Sequence, residues 1–434
     1  MSSSSWVLPD LPLQAYHRAS QIGEGSFGAV LTVYNDQGEE YALKLFETNA
    51  ADGCIDLGAL RELSCLRILQ HDHIIRLVDV QSMSDEDTNN PLAMVLPLYS
   101  RGTLSQAAHL RRSDKVTLAH GLLSAVAHLH DHGILHRDIK TDNVLVQDDP
   151  LKAILIDFSC AKPLAMDSTV LSGSTTTTTC KLHSSSTSSK APSLNHHCDS
   201  MKLTNTVGTV TYMAPELVDQ QPYYGRPVDL WSVGVVLLEL LTAQPLVATK
   251  NAHAFQEIQE RLATLPRQPF ADLLRGLLNV DPAKRLSARE ALRHSLFVKH
   301  GLEEPPVQRL AASRLEEDDD DKENAAVPPT PPNDRRWKRI QTLCRELDCR
   351  HPWTARSAYH YCHAMEELDD ELEDTQTLLD CVVLAVRFWE VEALNVVALS
   401  TEYRSFRDWD LETYRDTEAT LLMLLNYCLY PTAL

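Results

Sequence analysis

The sequence predicts an α+β region, strands first and helices after, followed by a separate all-α unit. Three observations carry that expectation. Short strand-like segments crowd the first hundred residues, and helical periodicity dominates from about 103 to 300. From 335 onward strand alternation is absent, and an acid- and proline-rich stretch precedes that region. With 434 residues the chain has length for two or three domains, at roughly 100–200 residues each.

Taken in order, residues 41–46 (Tyr-Ala-Leu-Lys-Leu-Phe) and 92–96 (Leu-Ala-Met-Val-Leu) read as short apolar strands. Between them, residues 57–69 carry Leu60, Leu63, Leu66 and Leu69 on one helical face. Residues 228–241 read as a further helix. Residues 163–203 are crowded with serine and threonine, including the runs 175–179 and 184–189. So little apolar surface cannot offset ordering entropy, which predicts a disordered insertion. Its Cys180, His183, His196, His197 and Cys198 follow no regular zinc spacing. Residues 301–334 hold the acid run 316–321 and then Pro328-Pro-Thr-Pro-Pro332, which predicts a linker. A flexible chain of those 34 residues spans ~30 Å on average. No internal repeat with a period of 20–50 residues is visible.

Forty basic against sixty acidic side chains give a net charge of −20, which repels polyanions and predicts no nucleic-acid partner. No run of 18 apolar residues occurs, so no membrane partner is expected, and the first residues do not read as a secretory leader. Ten scattered cysteines suit a reducing compartment, hence an intracellular protein of nucleus and/or cytoplasm.

The chemistry-bearing motifs begin at Ile22-Gly-Glu-Gly-Ser-Phe-Gly-Ala-Val30. Gly23, Gly25 and Gly28 would let backbone approach phosphates, although a glycine-rich turn alone is often a plain hairpin. Lys44 follows sixteen residues after Gly28 on an apolar strand, and Glu62 lies on the leucine-striped helix. His136-Arg-Asp-Ile-Lys-Thr-Asp-Asn143 comes next, and fourteen residues later a strand ends at Asp157-Phe158. Ala214-Pro-Glu216 and Asp229-Leu-Trp231 complete the series.

In that order and spacing, residues 14–300 resemble a eukaryotic protein kinase. The resemblance implies the bilobal kinase fold, with ATP and Mg2+ as cofactors and protein hydroxyls of serine or threonine as substrate. The ATP site would comprise Ile22, Gly23, Gly25, Gly28, Val30, Ala42, Lys44, Glu62, Leu96 and Leu98. Asp138 would accept the substrate proton and Lys140 would neutralise the transferring phosphoryl group. Asn143 and Asp157 would hold magnesium.

Residues 58–69 with 73–80 look like the helix region by which cyclin-dependent kinases bind their cyclin, Glu62 matching its ion-pair glutamate. That resemblance implies Thr204, ten residues before Ala214, as the activating phosphosite, with Arg61, Arg137 and Lys162 as its phosphate pocket. The chain departs from that pattern at Ser159, where glycine is usual, at Thr141, where proline is usual, and at Gly208 and Met213. Residues 384–390 (Leu-Ala-Val-Arg-Phe-Trp-Glu) and 418–427 resemble parts of a cyclin box, giving Arg387 and Glu418 as its contact to the kinase. A chain ending at Leu434 implies a single cyclin fold over 335–434, docked intramolecularly. Lys322-Glu323-Asn324 resembles a cell-cycle degradation signal, and residues 335–339 are either a basic nuclear signal or the start of a helix. The expectation is therefore a cyclin-dependent kinase fused to its own cyclin, acting in cell-cycle or transcription control. Two alternatives stay open: a kinase of another family with a helical targeting module, and a non-catalytic scaffold.

Overall fold

Alternation along the first strands assigns side chains to two faces, and that choice places the candidate site. The computed structural model describes residues 16–305, 335–425 and Leu429, apart from 26–27, 47, 49–52, 83–91, 108–109, 164–179, 182–208, 219–222, 247–250, 350–353, 367–374 and 390–395. Strands β1 (Tyr16–Gly25), β2 (Gly28–Asn35), β3 (Glu40–Phe46), β4 (Asp79–Ser82) and β5 (Leu92–Pro97) form one antiparallel sheet, ordered β1-β2-β3-β5-β4. Leu31, Val33, Leu43, Leu45, Ala93 and Val95 make a small core on one face. Phe46, Leu92, Met94 and Leu96 join the main core on the other. Lys44 has their parity, so it goes with them. The β2–β3 turn is closed by the Asn35 side chain, whose Oδ1 accepts from the backbone of Gln37 at 3.0 Å and Glu39 at 2.9 Å.

Helix α1 (Leu57–Ile68) starts where Asp56 caps it, accepting from Gly58 N at 2.7 Å. Such a cap is worth about 1 kcal/mol. Its leucine stripe, Leu60, Leu63 and Leu66, is buried as the periodicity predicts. Helix α2 (Arg112–Asp131) is buried on nearly every side beyond its first turn and lies inside the second lobe. After it come β6 (Ile134–Leu135), β7 (Val144–Asp148), β8 (Leu151–Leu155) and β9 (Lys162–Pro163), pairing as β6 with β9 and β7 with β8. Segment 136–143 therefore hangs between two strands, one end fixed by β6 and the other by β7. Helices α3 (Pro215–Val218), α4 (Pro227–Thr242), α5 (Asn251–Thr264), α6 (Pro269–Leu277), α7 (Ala288–Leu292) and α8 (Ser295–Val298) complete the lobe.

Two predicted boundaries shift. Pro163, the first residue of the predicted insertion, is already paired with Ile134, and Cys180–Lys181 pairs with Tyr223–Tyr224. The rest of 163–203 lies outside the described residues. The first five residues of the predicted linker belong to the preceding lobe, because acidic and carbonyl groups there meet its cations. Arg293 Nε donates to Glu304 at 2.6 Å, and Arg289 Nη1 donates to Pro305 O at 2.7 Å. What connects the two units is thus residues 306–334.

The remainder folds as α9 (Arg335–Glu346), α10 (Thr354–Glu366), α11 (Thr375–Trp389), α12 (Leu399–Glu402) and α13 (Leu411–Leu424), with no strand among its described residues. Ile340, Tyr361, Val382, Leu384, Tyr414 and Leu421 fill its interior. The basic run at 335–339 forms the first turns of α9. This interior is continuous with that of the preceding lobes, where α11 packs against α1.

Candidate active site

One row of the sheet already collects several predicted residues. Gly23 pairs with Val30, Val30 with Lys44, and Lys44 with Met94; one step along, Ala42 pairs with Leu96. Leu96 is buried, Leu98 is half-buried just past β5, and Ile22 is exposed. Lys44 Nζ donates to Glu62 Oε2 at 2.6 Å, and its Nζ lies 3.7 Å from Asp157 Oδ1. β3, α1 and the end of β8 thus converge on one ammonium group. Burial alone would lower Lys44, but the Glu62 and Asp157 carboxylates outweigh it and hold the ammonium above its usual value. Burial pushes Glu62 up to about 7, against the pull of Lys44. Asp157 is held below the usual carboxylate range: Lys44 and the Ser159 hydroxyl overcome the opposite effect of burial.

A second cluster sits on segment 136–143. Asp138 Oδ2 accepts from Lys140 Nζ at 2.8 Å and from Asn143 Nδ2 at 2.9 Å. Asn143 Nδ2 also donates to Asp138 O at 2.8 Å, which commits the amide nitrogen and leaves the amide oxygen as acceptor. Asp138 Oδ1 has no hydrogen-bond partner among the described residues. Asp138 also counters the effect of burial on Lys140 and raises it.

What holds the segment was not assigned from sequence. Asp229, fully buried on α4, accepts from the backbone of His136 at 3.0 Å and of Arg137 at 2.9 Å, and its Oδ2 lies 2.9 Å from His130 Nε2. These contacts include a backbone nitrogen in the left-handed region, Arg137 at φ 68°. The carboxylate therefore offsets the strain of a conformation that L residues seldom adopt. Glu216 accepts both Nη groups of buried Arg285, at 2.7 and 3.0 Å, pinning α3 to the loop before α7. The motifs pointed to Asp229 and Glu216, but their partners lie 92 and 69 residues away, with no local signal.

Of the predicted phosphate pocket, Arg137 Nε donates to Cys160 O at 2.7 Å, Lys162 sits opposite Leu135, and Arg61 is half-buried on α1. Thr204 lies outside the described residues.

Arg387 and Glu418 do meet, as a buried ion pair between α11 and α13. Together they grip the strap leading into α1: Ile55 N donates to Glu418 at 2.9 Å and Arg387 Nη2 donates to Ile55 O at 2.7 Å. Tyr414, which the motifs did not flag, donates to Glu418 at 2.9 Å. Gly53 tightens the fit, since a Cβ there would lie 2.8 Å from Arg415 Nε and its φ is +68°.

A cation between two carboxylates, beside a lysine-bound carboxylate and a carboxamide oxygen, suits a polyanion carried with a divalent metal. The protein kinase domain model matches residues 16–297, well over half of the sequence. The chain belongs to the protein kinase family. Serine/threonine-protein kinase TIO of Arabidopsis thaliana is 31% identical over 303 residues, which take in 67% of this kinase and 20% of that protein. The kinase thus spans about a fifth of the length of this curated relative. Among the described residues no helix is long and apolar enough to cross a membrane.

Proposed function

We propose that this chain is a serine/threonine protein kinase of cyclin-dependent type, governed by its own C-terminal helical unit acting as a cyclin box. The carrying observation is the convergence of Lys44, Glu62 and Asp157 beside Asp138, Lys140 and Asn143. Asp157 and the amide oxygen of Asn143 are hard oxygen donors of the kind magnesium takes, so the residues fit a metal–nucleotide complex. Bound magnesium–ATP supplies the γ-phosphoryl group and the charge that neutralises its oxygens. Lys44, ionised between two carboxylates, orients the phosphates. Asp138 receives the substrate hydroxyl proton on Oδ1 while the hydroxyl oxygen bonds to phosphorus and the bond to the leaving diphosphate breaks. Lys140 and Asn143 hold the other oxygen of Asp138, fixing its carboxylate plane.

Asp138→Asn removes the base without changing its size. We expect kcat in a magnesium-dependent phosphorylation assay to fall roughly 10²–10⁴-fold with the melting temperature unchanged. A wild-type rate in that variant would refute the catalytic reading.

Cyclin-type control is supported by where Arg387 and Glu418 act: on the backbone of Ile55, at the mouth of the helix carrying Glu62. Arg387→Ala leaves a buried carboxylate without its cation, a change on the order of 3–5 kcal/mol. The contact should weaken, and activity should fall at least about tenfold while amide exchange in α1 speeds up. Undiminished activity with faster exchange would make the helical unit a module unconnected to catalysis.

A further inference from the structure

The residue after Phe158 is where this chain departs most plainly from its family resemblance, and the structure gives Ser159 specific contacts. Its hydroxyl donates to Asp157 Oδ1 at 2.6 Å, and its backbone N–H reaches the same oxygen at 3.4 Å. Ser159 is 4% exposed, so water does not compete for that bond. Asp157 itself is in the left-handed region at φ 63°, a conformation that needs support from its neighbours. Phe158, between the two, is fully buried with its ring edge against His136 at 4.9 Å, and Ala161 N donates to its carbonyl at 2.9 Å. Ser159 is not among the residues at positive φ, so a side chain is unstrained there.

Resting on the reading of Asp157 as a metal carboxylate, we infer that Ser159 is a positioning residue whose hydroxyl locks the Asp157 side chain in its metal-holding arrangement. A glycine would leave the long backbone contact at 3.4 Å as the turn's only tie to Oδ1. The hydroxyl adds a short, charge-assisted bond, of the kind roughly twice as strong as a neutral one. It commits Oδ1 together with Lys44 at 3.7 Å, while Oδ2 takes no hydrogen bond among the described residues. One oxygen is fastened and the other is kept for the ligand. Ordering of the carboxylate is then complete before metal arrives, and binding need not supply it.

The test is calorimetric titration of ADP into the full chain at a series of Mg2+ concentrations, and without metal. It compares wild type with Ser159→Ala, Ser159→Gly, Ser159→Thr and Asp157→Asn. Losing the hydroxyl in the alanine and glycine variants should raise the Mg2+ concentration for half-maximal ADP binding by roughly tenfold. Metal-free ADP affinity should not change, and threonine, which keeps the hydroxyl, should stay within about twofold of wild type. Wild-type metal dependence in Ser159→Ala overturns the inference, as does an effect confined to Ser159→Gly, which would assign the role to backbone stiffness. Asp157→Asn separates the two layers: unchanged metal dependence there overturns the metal reading itself. Loss in Asp157→Asn with none in Ser159→Ala sinks the role of Ser159 alone.

Discussion

Glu62 meets two opposed demands, since burial favours its neutral form and Lys44 its charged form. With its carboxyl pushed up to about 7 by burial, it carries charge above that pH and loses it below. Protonated Glu62 no longer balances the charge of Lys44, and the Asp157 carboxylate lies farther from it, at 3.7 Å. We therefore expect kcat/KM to drop as pH falls from 8 to 6, along a limb centred near 7. Glu62→Gln should lower activity about tenfold at pH 8 and flatten that limb. A pH–rate profile with an unchanged acidic limb in Glu62→Gln would assign it to another group. Lys44, Glu62, Asp138, Asn143 and Asp157 were legible in sequence because each sits at a fixed offset within an ordered series of short motifs. Arg285 and Tyr414 were not legible: Arg285 meets Glu216 69 residues away, Tyr414 meets Glu418 only four residues on, and an isolated arginine or tyrosine carries no positional signal.

At the scale of elements, α2 carries a second titratable feature distant in role from the site. His128 stacks on His71 at 4.9 Å and lies 4.2 Å from the ring of His132, while His71 Nε2 lies 3.0 Å from Ser124 Oγ on the same helix. His73, Asp72, Lys152 and Arg289 border the group. Burial holds His71 at about 4 and His128 at about 3, both far below 6.5. A depressed basic group contributes stability that is complete above its unfolded value and is lost as pH falls toward its folded one. Melting temperature should therefore decline from about pH 6.5 down to about 3. His128 Nε2 is buried without a hydrogen-bond partner among the described residues, so His128→Leu should leave stability at pH 7.5 little changed and make the acid decline shallower. An equally steep decline in that variant would move the cause elsewhere. Elements with a clear period were readable in advance: α1 matches the leucine stripe, and β3 and β5 match their apolar runs to within a residue. Boundaries set by charge pairing were not, as at Glu304, where the acid belonging to the lobe looks like the acids of the linker.

At the scale of the whole molecule, the clasp on Ile55 joins residues 363 positions apart, and one chain holds both halves. Residues 306–334, 29 of them, reach at most roughly 100 Å when extended, which lets the two units of one chain meet. A covalent tether raises the local concentration of one face for the other to the order of millimolar, enough to saturate even a weak contact. Two arrangements satisfy the same clasp: each helical unit gripping its own α1, or two chains exchanging units as a swapped dimer. They differ in what mixing does. An Asp138→Asn chain keeps an intact helical unit and has no base; an Arg387→Ala chain keeps the base and has a broken clasp. In a swapped dimer the first would lend its helical unit to the second, so mixing the two impaired preparations would raise activity above the sum of the two. With the clasp closed within one chain, as we expect, mixing restores nothing. Wild-type specific activity then stays constant from micromolar to nanomolar protein, and sedimentation gives a monomer. Recovery on mixing, or activity that falls on dilution, would instead establish exchange between chains.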